Sequence, residues 1–78
     1  MDTVLVVADT PEIQDLIHVY LRNEGYFVIE AADGLEALDL IKSISFELVI
    51  LDTGMLRTDS IQTCTEIWKM SNTPMILI

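Results

Sequence analysis

With 78 residues the chain supports one small domain, and a lone Cys64 without a Cys/His cluster excludes both an internal disulfide and a structural zinc site. The balance of 4 basic against 13 acidic residues gives a net charge of −9, and Arg22, Lys42, Arg57 and Lys69 form no basic stripe, which argues against nucleic acid or anionic lipid as a direct partner. At 51% hydrophobic residues the chain is not of the disordered class, yet no apolar run is long enough to span a bilayer, and Met1-Asp2-Thr3 carries no positive leader, so a soluble cytoplasmic domain is expected.

Thr3 to Ala8 is a short, continuous apolar run rich in valine, the pattern of a buried parallel strand. Asp9-Thr10-Pro11-Glu12 opens a helix, with Asp9 or Thr10 as cap and proline in the first turn. Its expected apolar stripe is Ile13, Leu16, Ile17, Tyr20 and Leu21, and Gly25 stops it. Tyr26 to Glu30 is a second strand by its aromatic and β-branched content. Asp33 and Glu36 then stand in capping-box spacing ahead of a helix with Leu35, Leu38 and Ile41 as its stripe and Ala37 and Leu40 beside it. Glu47 to Leu51 is a third strand, followed by a loop from Asp52 to Thr58 that contains Gly54. A third helix from about Asp59 or Ser60 presents Ile61, Cys64, Ile67 and Trp68 on one face, until Ser71-Asn72-Thr73-Pro74 breaks it. Met75 to Ile78 starts a fourth strand.

This β-α-β-α-β-α-β order is that of an α/β domain, a parallel sheet with helices on both faces. In such sheets the functional crevice lies beyond the carboxyl ends of the strands, where the strand order reverses. Asp9 follows the first strand and Asp52 the third, so neighbouring strands bring two carboxylates to one sheet edge. Two close carboxylates repel unless a cation lies between them, and Mg2+ suits a pair of carboxylates because it keeps several of its waters. One carboxylate of such a pair can attack a phosphoryl group, giving an aspartyl phosphate.

The segments Val4 to Asp9 (VLVVAD), Leu21 to Tyr26 (LRNEGY), Ala31 to Leu38 (AADGLEAL), Glu47 to Asp52 (ELVILD) and Thr73 to Ile78 (TPMILI) together resemble the receiver domain of bacterial two-component response regulators. The pattern is most similar to the OmpR-like branch, whose members carry a winged-helix DNA-binding domain after the receiver. The resemblance implies a flavodoxin-like, doubly wound sheet of order 2-1-3-4-5. It further implies Asp52 as phosphoacceptor, Asp9 as a direct Mg2+ ligand, the backbone carbonyl of Gly54 as the third protein ligand, and a histidine kinase as partner. On this reading the chain is a signalling module and not an enzyme.

The departures from the family pattern are specific. Ala8 stands where receivers usually have the first of two acids, which implies weaker metal binding. The loop after the acceptor reads Met55-Leu56 and Asp59-Ser60, in place of Met-Pro and Asp-Gly. The family's switch Ser/Thr is expected directly after Ile78 and its lysine at the end of a fifth strand, so residues 1–78 read as a partial receiver, truncated after the fourth strand. An apolar fourth-strand edge or an uncovered sheet face then implies a homodimer or higher oligomer. The alternative function is a pseudo-receiver that is not phosphorylated and binds a partner.

Each singled-out residue has a plainer role to weigh. Asp9 is a helix cap in many α/β proteins, and Asp52 could be a polar strand end. Cys64 is expected as a small buried hydrophobe, Ile67 and Trp68 as core, with Trp68 an interface anchor as the alternative, and His18 as an exposed helix residue. A haloacid-dehalogenase-type phosphatase requires an acid where Gly54 stands, and a flavodoxin or dinucleotide module requires a phosphate loop that Ala8-Asp9-Thr10-Pro11 does not provide.

Overall fold

A computed structural model describes residues 2–52, 62, 65–67, 69 and 72–78. The elements are β1 (Thr3–Val7), α1 (Pro11–Asn23), β2 (Phe27–Ala31), α2 (Gly34–Ser43), β3 (Leu48–Leu51) and β4 (Met75–Leu77). Gln62, Thr65 to Ile67 and Lys69 are also helical, in agreement with the expected third helix. Gly54, Ile61, Cys64 and Trp68, singled out from the sequence, lie outside the described residues.

The sheet is parallel, with order β2-β1-β3-β4. Successive side chains of a strand point to opposite faces, and the two apolar clusters divide accordingly. Val4 and Val6 of β1 pack with Ile50, Leu48 and Val28 beneath Ile17 and Leu21 of α1. Leu5 and Val7 pack on the other face with Val49, Leu51 and Ala31 against Ala37 of α2 and against Ile67. Both faces of β1 are therefore covered, and its residues from Val4 to Val7 are at most 1% exposed. This is why the strand reads as continuous valine and leucine instead of alternating with polar residues.

The helix ends follow local chemistry. Thr10 is the N-cap of α1, with Pro11 at the first helical position and no cap bond from its side chain. The helix closes with Gly25 N–H donating to the Arg22 carbonyl and Tyr26 N–H to the Leu21 carbonyl, each at 3.0 Å. Gly25 sits at φ +94°, a conformation that disfavours any residue with a Cβ. In α2 the Asp33 carboxylate accepts from Glu36 N–H at 2.8 Å, the cap expected from the sequence.

The stripe of α1 differs from expectation in phase, and that of α2 differs at Leu35. Along α1, Leu21 is buried and Ile17 half-buried, but Leu16 and Tyr20 are 72% and 64% exposed and Ile13 lies at the exposed limit. The inward row is Gln14, Ile17, His18 and Leu21, at helical spacing, with two polar members. His18 is not the exposed residue expected: its Nδ1 lies 2.5 Å from Glu30 Oε1 of β2, with both side chains part-buried. Along α2 the inward residues are Gly34, Ala37, Leu38, Leu40 and Ile41, as expected for the last four, but Leu35 is 78% exposed. Small residues at 34 and 37 let the helix approach the sheet closely, which turns Leu35 outward.

These phases predict opposite outcomes for two leucines in urea denaturation. Leu35→Ser is expected to change stability by less than about 0.5 kcal/mol, as for an exposed site. Leu5→Ala, in the fully buried strand, is expected to cost roughly 2–5 kcal/mol. A second expectation concerns the α1–β2 tie: Glu30→Ala should cost about 1 kcal/mol or less, as for a part-exposed ion pair or hydrogen bond.

Candidate functional site

The sheet order reverses between β1 and β3. From β1 the chain crosses to β2 on one side, and then returns past β1 to β3 on the other. The crevice outside the carboxyl ends of β1 and β3 is thus the position where this topology places a site. Val7 and Leu51 are partners in the parallel register, and Asp52 N–H donates to the Val7 carbonyl at 2.9 Å, extending the ladder by one residue. Asp52 therefore stands beside Ala8, with Asp9 one residue further along the neighbouring strand.

The two acids are held differently. Asp52 is 6% exposed, the one buried charged residue among those described. Asp9 is exposed, and the Thr10 hydroxyl donates to its Oδ1 at 3.3 Å. Since Thr10 is the N-cap and its side chain makes no cap bond, Asp9 does not serve as the helix cap, which removes the plainer reading of that residue. Burying a carboxylate is costly without hydrogen bonds or a nearby cation. Among the described residues no buried side-chain nitrogen or oxygen lacks a hydrogen-bond partner.

The donor set fits Mg2+. It offers hard carboxylate oxygens at one sheet edge, and Mg2+ is commonly held by one or two carboxylates with waters completing its shell. Among the described residues no group of three or more His, Cys, Asp or Glu side chains converges, which is too sparse for a tetrahedral zinc site or an all-protein calcium cage. The third expected ligand, Gly54, lies outside the described residues. Among the described residues no helix is long and apolar enough to cross a membrane.

Sequence reasoning missed Gln14. Its side chain reaches from α1 to the strand ends, where Nε2 donates to the Ala8 carbonyl and, at 3.5 Å, to the Ala31 carbonyl. A polar residue at helical spacing from Ile17 and Leu21 was the available signal.

Comparison with known proteins agrees with this geometry. The response regulator receiver domain family matches residues 4–78. YrkP, an uncharacterized transcriptional regulatory protein of Bacillus subtilis, is 43% identical over 75 residues, covering 96% of this chain and 32% of that protein. The chain spans about a third of the length of the curated relatives it matches. Among solved structures, the response regulator TrrA from Thermotoga maritima in complex with Mg2+-BeF is similar at TM-score 0.88 and 37% identity, over 99% of this chain and 68% of that one. TrrA in complex with the histidine kinase ThkA gives the same TM-score and identity, over 99% of this chain and 67% of that one. The flavodoxin-like receiver fold expected from the sequence is thereby confirmed, in a strand order that matches 2-1-3-4.

Ala8, fully buried between Val7 and the acidic edge, supplies a test of that edge. Ala8→Asp adds a third carboxylate beside Asp52 and is expected to cost roughly 1–3 kcal/mol without metal. Its melting temperature should then rise more on adding Mg2+ than that of the wild-type chain. Equal responses in calorimetry would show that a carboxylate at position 8 adds nothing to cation binding at this edge.

Proposed function

The chain belongs to the response regulator receiver domain family, and from that premise we propose that Asp52 accepts a phosphoryl group from a histidine kinase, with Mg2+ held by Asp9 and Asp52. The observation that carries this reading is the position of two aspartates just past the carboxyl ends of adjacent parallel strands, where the sheet order reverses. The Gly54 carbonyl, two residues beyond Asp52, completes the proposed ligand set on the family resemblance alone.

In the transfer, an Asp52 carboxylate oxygen forms a bond to phosphorus as the bond from phosphorus to the donor imidazole nitrogen breaks. The electron pair of that broken bond returns to the imidazole. Bound Mg2+ supplies positive charge that offsets the negative charge on the transferring oxygens. Asp9 contributes an exposed carboxylate to hold the cation, and Asp52 a buried one whose freedom to reorient is limited by its place at the end of the ladder. The domain is a phosphoryl acceptor in this role and not an enzyme that releases a product.

Support for the partner comes from TrrA, whose structure is known in complex with a histidine kinase. The exposed Leu16, Val19 and Tyr20 offer such a partner an apolar face along α1, the helix that leads away from the acidic edge. Relatives named as transcriptional regulators support the OmpR-like branch, in which a phosphorylated receiver controls a DNA-binding domain. Self-association through β4 is a further part of the proposal for the 78-residue chain, supported by the exposure of Ile76 and Leu77.

A second reading is favoured by Ala8, which removes one acid of the family's usual pair: a pseudo-receiver that binds partners without phosphorylation. Intact mass after incubation with a small phosphodonor and Mg2+ separates the two. The first predicts a gain of one phosphoryl group that Asp52→Asn abolishes. A folded wild-type chain with unchanged mass would instead support the second. Sedimentation at micromolar concentration checks the self-association, and a folded monomer there would refute it.

A further inference from the structure

Resting on the proposed Mg2+ site, we infer that Gln14 is a positioning residue for Asp9, holding from helix α1 the peptide that carries this metal ligand.

Gln14, Ile17, His18 and Leu21 share the face turned to the sheet, and Ile17 and Leu21 join the apolar cluster with Val4, Val6 and Ile50. A leucine at position 14 would extend that cluster toward the strand ends. A carboxamide there gives up apolar contact and must find polar partners. It finds two main-chain carbonyls, one at the end of β1 and one at the end of β2. A carboxamide nitrogen has two N–H donors, one for each.

The Ala8 carbonyl has a particular relation to the site. It belongs to the planar peptide whose nitrogen is that of Asp9, so its direction fixes the plane from which Asp9 departs. The Ala31 carbonyl also accepts from Ala8 N–H at 3.0 Å. Gln14 therefore closes a set of hydrogen bonds around Ala8 that joins the ends of β1 and β2 to the first turns of α1. Past this point the chain leaves the ladder. Asp9 is exposed, and the following Thr10 makes no side-chain cap bond. Gln14 is thus the side chain that ties the peptide before Asp9 to the helix that follows it. Partners bonded directly to a metal ligand are typically worth 10–100-fold in affinity; the Thr10 hydroxyl is such a partner of the Asp9 carboxylate, and Gln14 acts one step further out, on the peptide that carries it.

The test compares the wild-type chain with Gln14→Met and Gln14→Glu, by amide and carbonyl NMR without metal and then during Mg2+ titration. Gln14→Met keeps the length and removes both donors. Without metal, its spectral changes should centre on Ala8, Asp9 and Ala31. The Kd for Mg2+ should rise roughly tenfold, the lower end of the range for a lost outer partner. The phosphorylation rate at saturating Mg2+ should stay near the wild-type value, so that the change appears in half-saturation and not in maximal rate.

Gln14→Glu separates positioning from charge. A carboxylate adds negative charge near the cation and on that ground tightens binding, whereas the loss of both donors weakens it. The inference predicts weaker binding, and tighter binding would overturn it. Should Gln14→Met fail to fold, Gln14→Glu, close in shape to glutamine, carries the comparison. Wild-type affinity in both variants would overturn the inference and leave the metal reading intact. A folded wild-type chain whose spectrum does not respond to Mg2+ would overturn the metal reading, and this inference with it.

Discussion

The burial of β1 on both faces constrains everything else in this domain. A strand with no wet face needs a neighbour on each edge for its backbone groups and a helix above and below for its side chains. β2 and β3 supply the edges, α1 covers Val4 and Val6, and α2 with the helical residues around Ile67 covers Leu5 and Val7. Once β1 is central, the chain must leave it in one direction and later return on the other side. The reversal point then falls at its carboxyl end, beside the end of β3. The acids at the strand ends inherit their proximity from that topology and need no special loop to bring them together.

The same constraint explains how the two acids differ. Asp52 continues the β3 ladder by one residue and is buried with it, while Asp9 lies past the last ladder residue of β1 and is exposed. A buried carboxylate pays more in desolvation than an exposed one, so a cation at this edge stabilises Asp52 more strongly than Asp9. In the proposed phosphotransfer this asymmetry would divide the roles, the buried acid accepting the phosphoryl group and the exposed one meeting a hydrated ion.

Much of this was legible in the sequence. The continuous run of Thr3 to Ala8 marked a strand buried on both faces, Glu47 to Leu51 marked another strand, and each strand bound agrees within one residue. The Asp33 cap and the left-handed Gly25 followed from local chemistry that needs no tertiary contact. The faces of the helices were less legible, because apolar periodicity assumes that the inward row is the most apolar one. In α1 it is not. Gln14 and His18 turn inward to bond the strand ends and Glu30, while Leu16, Val19 and Tyr20 stay in water. Leu35 failed for a related reason, since the close approach of α2 is set by Gly34 and Ala37. Asp9 could not be distinguished from a helix cap until the start of α1 showed Thr10 in that position.

The outward apolar face of α1 and the charge of the chain bear on each other. A net charge of −9 raises the local concentration of cations and opposes the approach of any donor that carries a phosphoryl group. Salt confines that repulsion to about 8 Å at physiological ionic strength, so in the proposed transfer it acts chiefly at close range, where a donor would reach Asp52. Contacts made outside that range have to hold the donor against it. Apolar contacts serve this purpose well because salt does not screen them, and Leu16, Val19 and Tyr20 place such a surface on α1, which begins two residues after Asp9. The polar residues turned inward on α1 and the apolar residues turned outward are thus two sides of one arrangement: the inner row secures the strand ends, and the outer row is left free to bind a partner.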